Sequence, residues 1–165
     1  MRSHKGRIEI KMKLIKIVIL VLVIAFVIIQ FIRPSWNKSE EAYPQDISNV
    51  ITVPDSVKTL LHTACYNCHS NNTEYPWYGY VQPVGWYLAG HIKDAQKNLN
   101  FNEFGNYSAR RKASKLDDIA NEIRENGMPL PSYRLLHKDA RLSQAEKDLL
   151  INWAQMSEES ISPAN

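Results

Sequence analysis

A chain of 165 residues accommodates one ordinary domain with an appendage, which argues against the barrels and doubly wound sheets of large multidomain enzymes. Residues 1–33 hold seven Lys or Arg against one Glu, and residues 34–165 hold thirteen against sixteen Asp or Glu, so a head of +6 precedes a body of −3. A nucleic-acid binder carries its basic residues on the folded domain itself; here they precede it, as in the orientation signal of a membrane protein.

The basic segment 1–13 leads into residues 14–32, a nineteen-residue apolar run broken by Lys16 near its start and Gln30 near its end. As a helix the run spans about 28 Å, close to a hydrocarbon layer of about 30 Å. Lys16 can snorkel to the headgroups. Arg2, Lys5, Arg7, Lys11 and Lys13 all precede the run, which predicts a cytoplasmic amino terminus and a carboxy-terminal part outside the cytoplasmic membrane, in the periplasm. A cleaved signal peptide has a shorter apolar core and a small-x-small cleavage site. The run instead ends in Gln-Phe-Ile-Arg-Pro-Ser-Trp, so residues 14–32 read as an uncleaved single-pass anchor in lipid.

Residues 33–54 carry Pro34, Pro44 and Pro54 among polar residues without sustained periodicity, and read as a tether to an outer domain over residues 55–157. Val57, Leu60, Leu61 and Ala64 mark a first helix that runs into Cys65. The stretch 70–82 is rich in Asn, Gly, Pro and aromatics and predicts a loop with its rings packed inward. A helix from Pro83 to about Asn98 follows, with Val84, Leu88, His91 and Ala95 on one face. Proline is favourable at its first position, where the N–H would have no intrahelical partner.

A third helix over about Ser108 to Asn126 carries Leu116, Ile119, Ala120 and Ile123, with Gly127 expected as its left-handed cap. The last helix opens on Ser143-Gln-Ala-Glu146, a capping-box pattern, and carries Leu149, Leu150, Trp153 and Ala154. Residues beyond Ser157 are expected to fray, with 158–165 a tail. Strict alternation and internal repeats are both missing from the sequence, and the outer domain is predicted to be all-α.

Cys65-Tyr-Asn-Cys68-His69 has the spacing of covalent haem c attachment. Two thiols in one turn can each add to a haem vinyl group, and the adjacent imidazole can ligate the iron. A structural zinc site draws four ligands from paired clusters, and the chain has only these two cysteines. A thioredoxin-like dithiol sits in a βαβ setting, which the helical periodicity does not supply. His69 is therefore the expected proximal ligand, with its second ring nitrogen donating to a carbonyl or water.

The sixth iron position has several candidates. Met128 follows a helix end and begins a Met-Pro-Leu-Pro loop that can hold a thioether over a haem, although core methionines commonly just fill gaps. His91, on the apolar face of the second helix, would give bis-histidine iron. His62 and His137 are weaker candidates, and an open position is the remaining alternative. Trp77, Tyr78, Tyr80, Trp86 and Tyr87 could line a haem pocket or simply pack the core. Arg110, Arg111, Lys112 and Lys115 could meet an acidic redox partner, but nearby Asp117, Asp118 and Glu122 favour a solvated face.

Across residues 45–156 the sequence resembles a bacterial family, the haem-binding domain family common in Bacteroidota. The matching stretches run from Cys65 through His69 to Trp77-Tyr, then Pro83-Val-Gly-Trp86, His91-Ile, Leu99-Asn-Phe, Gly127-Met128-Pro129-Leu-Pro131-Ser-Tyr133, His137-Lys-Asp-Ala-Arg-Leu-Ser and Trp153-Ala. The resemblance implies a cytochrome c-like haem domain on a membrane anchor, with Cys65 and Cys68 as attachment points and His69 as axial ligand. His91 and Met128 both lie in matching stretches. The expectation is a one-electron carrier serving an unidentified redox partner, with an open-site gas sensor or peroxide-reducing haem protein as the alternative. Paired carboxylates for acid-base work and a phosphate loop are not present in the sequence, so no enzymatic reaction is assigned.

Overall fold

A computed structural model describes residues 2–39 and 41–161. Among the described residues the structure is helical throughout, with no strand. The helices are α1 (Arg2–Ile29), α2 (Ile47–Val50), α3 (Asp55–Ala64), α4 (Tyr66–His69), α5 (Val84–Asn98), α6 (Ala109–Arg124), α7 (Pro131–Leu136) and α8 (Gln144–Ile161), with 3-10 turns over Trp77–Tyr80 and Phe101–Asn106. The chain divides into two compact units, Met1–Ser35 with Tyr75–Ala89, and Trp36–Glu74 with Gly90–Asn165.

The first unit is built on α1. Its stretch Ile8–Ile29 is long and apolar enough to cross a membrane, at about 33 Å for 22 residues. Leu14, Ile15, Ile17, Val18 and Ile19 are all exposed, so this stretch presents apolar side chains on successive faces of the helix, as a membrane span would. It begins inside the segment expected to be merely a basic leader and ends at Ile29, three residues before the expected Ile32. There the amides of Gln30, Phe31 and Ile32 bond three residues back and tighten the last turn. The Gln30 side-chain amide donates to the carbonyl of Gln82 at 3.1 Å, and its oxygen accepts from the Gln82 amide at 2.9 Å. One glutamine thereby satisfies the backbone of a residue 52 positions away, as a polar group at the end of an apolar helix must if it is not left to water.

The second unit has a continuous apolar core. Ile47, Val57, Leu61, Phe101, Phe104, Leu116, Ala120, Leu150 and Ala154 are almost wholly buried. The periodicities of α3, α6 and α8 deliver them: Val57, Leu61 and Ala64 line one face of α3, Leu116, Ala120 and Ile123 one face of α6, and Leu150, Trp153 and Ala154 one face of α8. Helix α8 packs along α6 and also meets α3. The capping box forms as expected, with Glu146 accepting from the Ser143 amide at 2.7 Å.

Four local expectations are corrected. The tether is structured over much of its length: Asp46 caps α2 and is buried, and Ile47 enters the core. The left-handed residue after α6 is Asn126, at φ 60°, and not Gly127; the helix stops earlier than expected, and asparagine also tolerates this conformation. The Met-Pro-Leu-Pro segment is not all loop, because Pro131 opens α7, where its fixed φ suits the first turn. Helix α8 continues past Ser157 to Ile161, whose side chain packs on the core; residues 162–165 of the expected tail lie outside the described residues.

Candidate functional site: the Cys65–His69 turn

Helix α3 ends at Ala64 and is capped by Cys65, whose amide donates to the Leu61 carbonyl at 2.9 Å and which also serves as the N-cap of α4. Its carbonyl accepts from the amides of both Cys68 and His69, at 3.1 and 3.0 Å. This short turn puts the two thiols on one side at a three-residue interval, the neighbour spacing of a helix. Both are free cysteines. Burial pushes the Cys65 thiol up to about 12, with the neighbouring Cys68 adding to the effect, and burial also raises Cys68. A redox dithiol has a thiol of depressed pKa; here the environment acts in the opposite direction. Among the described residues, no group of three or more His, Cys, Asp or Glu could hold a bare metal ion.

His69 is oriented from behind. Its Nδ1 lies 2.9 Å from the carbonyl oxygen of Leu99, the residue that follows α5. A carbonyl can only accept, so Nδ1 carries the proton and Nε2 is the nitrogen with a lone pair to give. Phe101 meets the imidazole edge-on at 6.0 Å between ring centres and fixes its plane. Burial lowers the His69 pKa, against the opposing pull of the Leu99 and Ala95 carbonyls, which keeps the ring in the neutral form that ligates iron.

The residues between the cysteines are pinned as well. The Tyr66 ring stacks between His62 and Phe101, at 4.0 and 4.9 Å. Its hydroxyl donates to the buried carboxylate of Asp46, whose oxygens lie at 3.0 and 3.1 Å. Burial, followed by the negative charge of Asp46, holds that phenol protonated far above the usual tyrosine range. The Asn67 side chain donates to the Tyr133 hydroxyl of α7 at 3.0 Å. Because Tyr133 is five residues after Met128, this bond brings the helix that follows the Met128 loop onto the cysteine motif.

The loop after His69 is held by an amide network. The Asn71 amide donates to Asn102 Oδ1 at 2.7 Å, Asn102 Nδ2 donates to Asp46 at 2.8 Å, and Asn100 Nδ2 donates to Asn71 Oδ1 at 2.6 Å. Asn37, from the expected tether, donates to the Ser70 carbonyl and to Thr73 Oγ1, both at 2.8 Å. Sequence reasoning anticipated a carbonyl behind His69 but did not identify Leu99, and it missed Asp46, Asn67, Asn102 and Tyr133. The one available signal was the density of asparagines, at 67, 71, 72, 98, 100, 102 and 106, in a region where asparagine side chains substitute for backbone partners.

Among the other expected ligands, Met128 is half-buried in the loop between α6 and α7, and His91 is half-buried on α5. His62 is exposed, as expected, and His137 caps α7 with its ring stacked on Tyr133 at 4.0 Å. The aromatic cluster departs from the expectation of inward packing. Trp77 is 79 % exposed and Tyr87 63 %, so these rings neither fill a protein core nor lie between helices.

Helical organisation, two thiols in one turn and an imidazole oriented by a carbonyl are compatible with a haem-binding domain. The model of the haem-binding domain family matches residues 24–156, and the chain belongs to that family. No curated protein and no solved structure matches it. The residues present fit the group that the family name implies, since the motif holds two free thiols and a histidine with Nδ1 already engaged.

Proposed function

We propose that the protein is a membrane-anchored haem c protein that carries single electrons on the outer side of the cytoplasmic membrane. The observation that supports this reading is the His69 Nδ1 bond to the Leu99 carbonyl at 2.9 Å, which leaves the Nε2 lone pair available to a ligand in the turn that also holds Cys65 and Cys68. In this reading each thiol adds across one haem vinyl group, with sulfur bonding to one carbon and hydrogen to the other, so attachment leaves no by-product. Bound haem supplies an iron that gains and loses one electron reversibly. The chain's own part is to hold that iron through His69 Nε2, orient the imidazole through Leu99 and Phe101, and keep water from the attachment turn.

Met128 is the proposed second axial ligand. The Asn67–Tyr133 bond supports it by tying the element after the Met128 loop to the cysteine turn. His91 is the less favoured alternative because it stands two helical turns before Leu99, on the helix whose end backs His69, and would share that side of the imidazole. Methionine–histidine coordination gives a closed site and a potential above that of bis-histidine iron, which suits electron transfer to a partner protein better than ligand capture. For topology, the apolar part of α1 serves as a signal anchor, with the Lys and Arg residues of its amino-terminal end retained in the cytoplasm.

The test is expression with an intact c-type maturation system, then oxidised, reduced and carbon monoxide spectra of the detergent-solubilised full chain. A reduced spectrum unchanged by carbon monoxide is expected. Immediate carbon monoxide binding would replace the carrier by the open-site sensor or peroxide-reducing reading.

A further inference from the structure

The segment Tyr75–Ala89 has a composition unlike the rest of the carboxy-terminal part. Its fifteen residues include Tyr75, Trp77, Tyr78, Tyr80, Trp86 and Tyr87 and not one Asp, Glu, Lys, Arg or His. In the structure much of this apolar material faces outward: Trp77 is 79 % exposed, Tyr87 63 %, and Tyr80, Val81, Val84 and Trp86 are also exposed. Water is a poor environment for so dense a cluster, and contiguous exposed apolar surface marks an interaction site.

This surface is held rigidly. The segment belongs to the same compact unit as α1. The Gln82 backbone is bonded in both directions to the Gln30 side chain, and the Trp86 indole N–H donates to the Ile32 carbonyl at 2.7 Å. Gln82 is itself buried and accepts from the Trp86 amide through its side chain at 3.0 Å. Gly85 permits the tight fold, since a Cβ there would come within 2.4 Å of the Gly79 carbonyl oxygen. The segment is thus clipped to the last turn of α1, where the apolar helix gives way to Gln30 and, shortly after, Arg33. In a spanning helix that position lies at the boundary between hydrocarbon and headgroups, the depth at which tryptophan and tyrosine concentrate because the ring is apolar and its N–H or O–H stays wet.

We propose that Tyr75–Ala89 is a second membrane-contacting element, an uncharged aromatic collar seated in the headgroup layer around the carboxy-terminal end of α1. The proposal rests on the reading of α1 as a membrane span. Lipid is the occupant because the segment that bears the exposed rings is hydrogen-bonded, within one unit, to the end of the apolar α1, and because an uncharged face offers a soluble partner no ionic register. The collar would hold the membrane-proximal part of the chain at a fixed height, where a lone span would leave it free to tilt.

The test uses the full haem-loaded chain, reconstituted in phosphatidylethanolamine–phosphatidylglycerol vesicles containing a phosphatidylcholine with a diazirine high on one acyl chain. After illumination, lipid adducts are mapped by peptide mass spectrometry. Adducts are expected both in residues 14–32 and in residues 75–89. In the double variant Trp77→Glu, Tyr87→Glu, two carboxylates replace the rings that seat the segment in lipid, so the yield in 75–89 should fall about tenfold while labelling of 14–32 persists. Adducts confined to 14–32 would leave the anchor intact and overturn the collar, the rings then being covered by something other than lipid. Adducts in neither segment would overturn the anchor and the collar together. An undiminished yield in the double variant would also overturn the collar, because the exposed rings would not be what holds the segment against lipid.

Discussion

Replacing Asp46 by alanine tests how the Cys65–His69 turn is held. The carboxylate is buried, at 8 % exposure, and receives four kinds of donor: the Ser48 amide at 2.9 Å, the Ser48 hydroxyl at 2.5 Å, the Tyr66 hydroxyl at 3.0 Å and Asn102 Nδ2 at 2.8 Å. Ser48 is half-buried and can turn to water, so its share is the loss of a helix cap, about 1 kcal/mol. The Tyr66 hydroxyl and the Asn102 amide lie where water has little access, and an orphaned buried donor costs about 1–3 kcal/mol. Together these give about 4 kcal/mol, a large part of a total stability of about 5–15 kcal/mol.

Asp46→Asn retains one acceptor oxygen but turns an N–H2 toward donors, and should cost about 1–2 kcal/mol. The assay is guanidinium unfolding of the haem-loaded full chain in detergent, with the yield of covalently attached haem measured beside it. Because Tyr66 sits between the two cysteines, the alanine variant should also mature less completely. A cost below about 1 kcal/mol for Asp46→Ala, or equal costs for the two variants, would refute the argument that Asp46 anchors the turn.

Other consequences follow from the same structure. Met128→Ala should lower the reduction potential and let carbon monoxide bind the reduced protein, as measured by potentiometric titration and absorption spectra; an unchanged potential would remove Met128 as ligand. Leu150→Ala, at a fully buried position on the α8 face toward the core, should cost about 3 kcal/mol in chemical unfolding through reduced burial and a residual cavity, and a cost near zero would contradict the core assignment. In a Cys65→Ser, Cys68→Ser chain without covalent haem, stability should depend on pH through His69, whose pKa burial lowers from its ordinary 6.5. Above that value the imidazole is neutral in both states and there is no penalty. Below it the unfolded chain takes up the proton first, so stability falls by at most about 1.4 kcal/mol per pH unit until the depressed folded value is reached. Unfolding curves of that chain with and without His69→Gln over this window should differ in slope, and parallel curves would contradict the shift.

What the sequence revealed about this protein follows from the range of the interactions involved. Regular periodicity located α3, α5, α6 and α8 because burial of one helical face repeats every three or four residues. The Cys65–His69 turn was legible as a candidate site because its spacing is complete within five consecutive residues. The Leu99 carbonyl behind His69 and the Asp46–Tyr66 and Asn67–Tyr133 pairs were not, because each joins residues 20 to 66 positions apart through single hydrogen bonds that leave no repeating pattern. The exposed rings of Tyr75–Ala89 ran against the rule that aromatics pack inward. The order within residues 33–54 was missed because three prolines and a scatter of polar residues suggest a spacer, yet Asp46 bonds Tyr66 and Asn37 bonds the loop after His69 from that irregular backbone.

The central claim, covalent haem at Cys65 and Cys68, is tested most directly by the intact mass of the full chain under denaturing conditions after expression with competent c-type maturation. The account predicts the polypeptide mass plus one haem, retained through denaturation and absent from the Cys65→Ser, Cys68→Ser variant. An unmodified polypeptide mass from the native sequence, with haem released on denaturation or never bound, would contradict it.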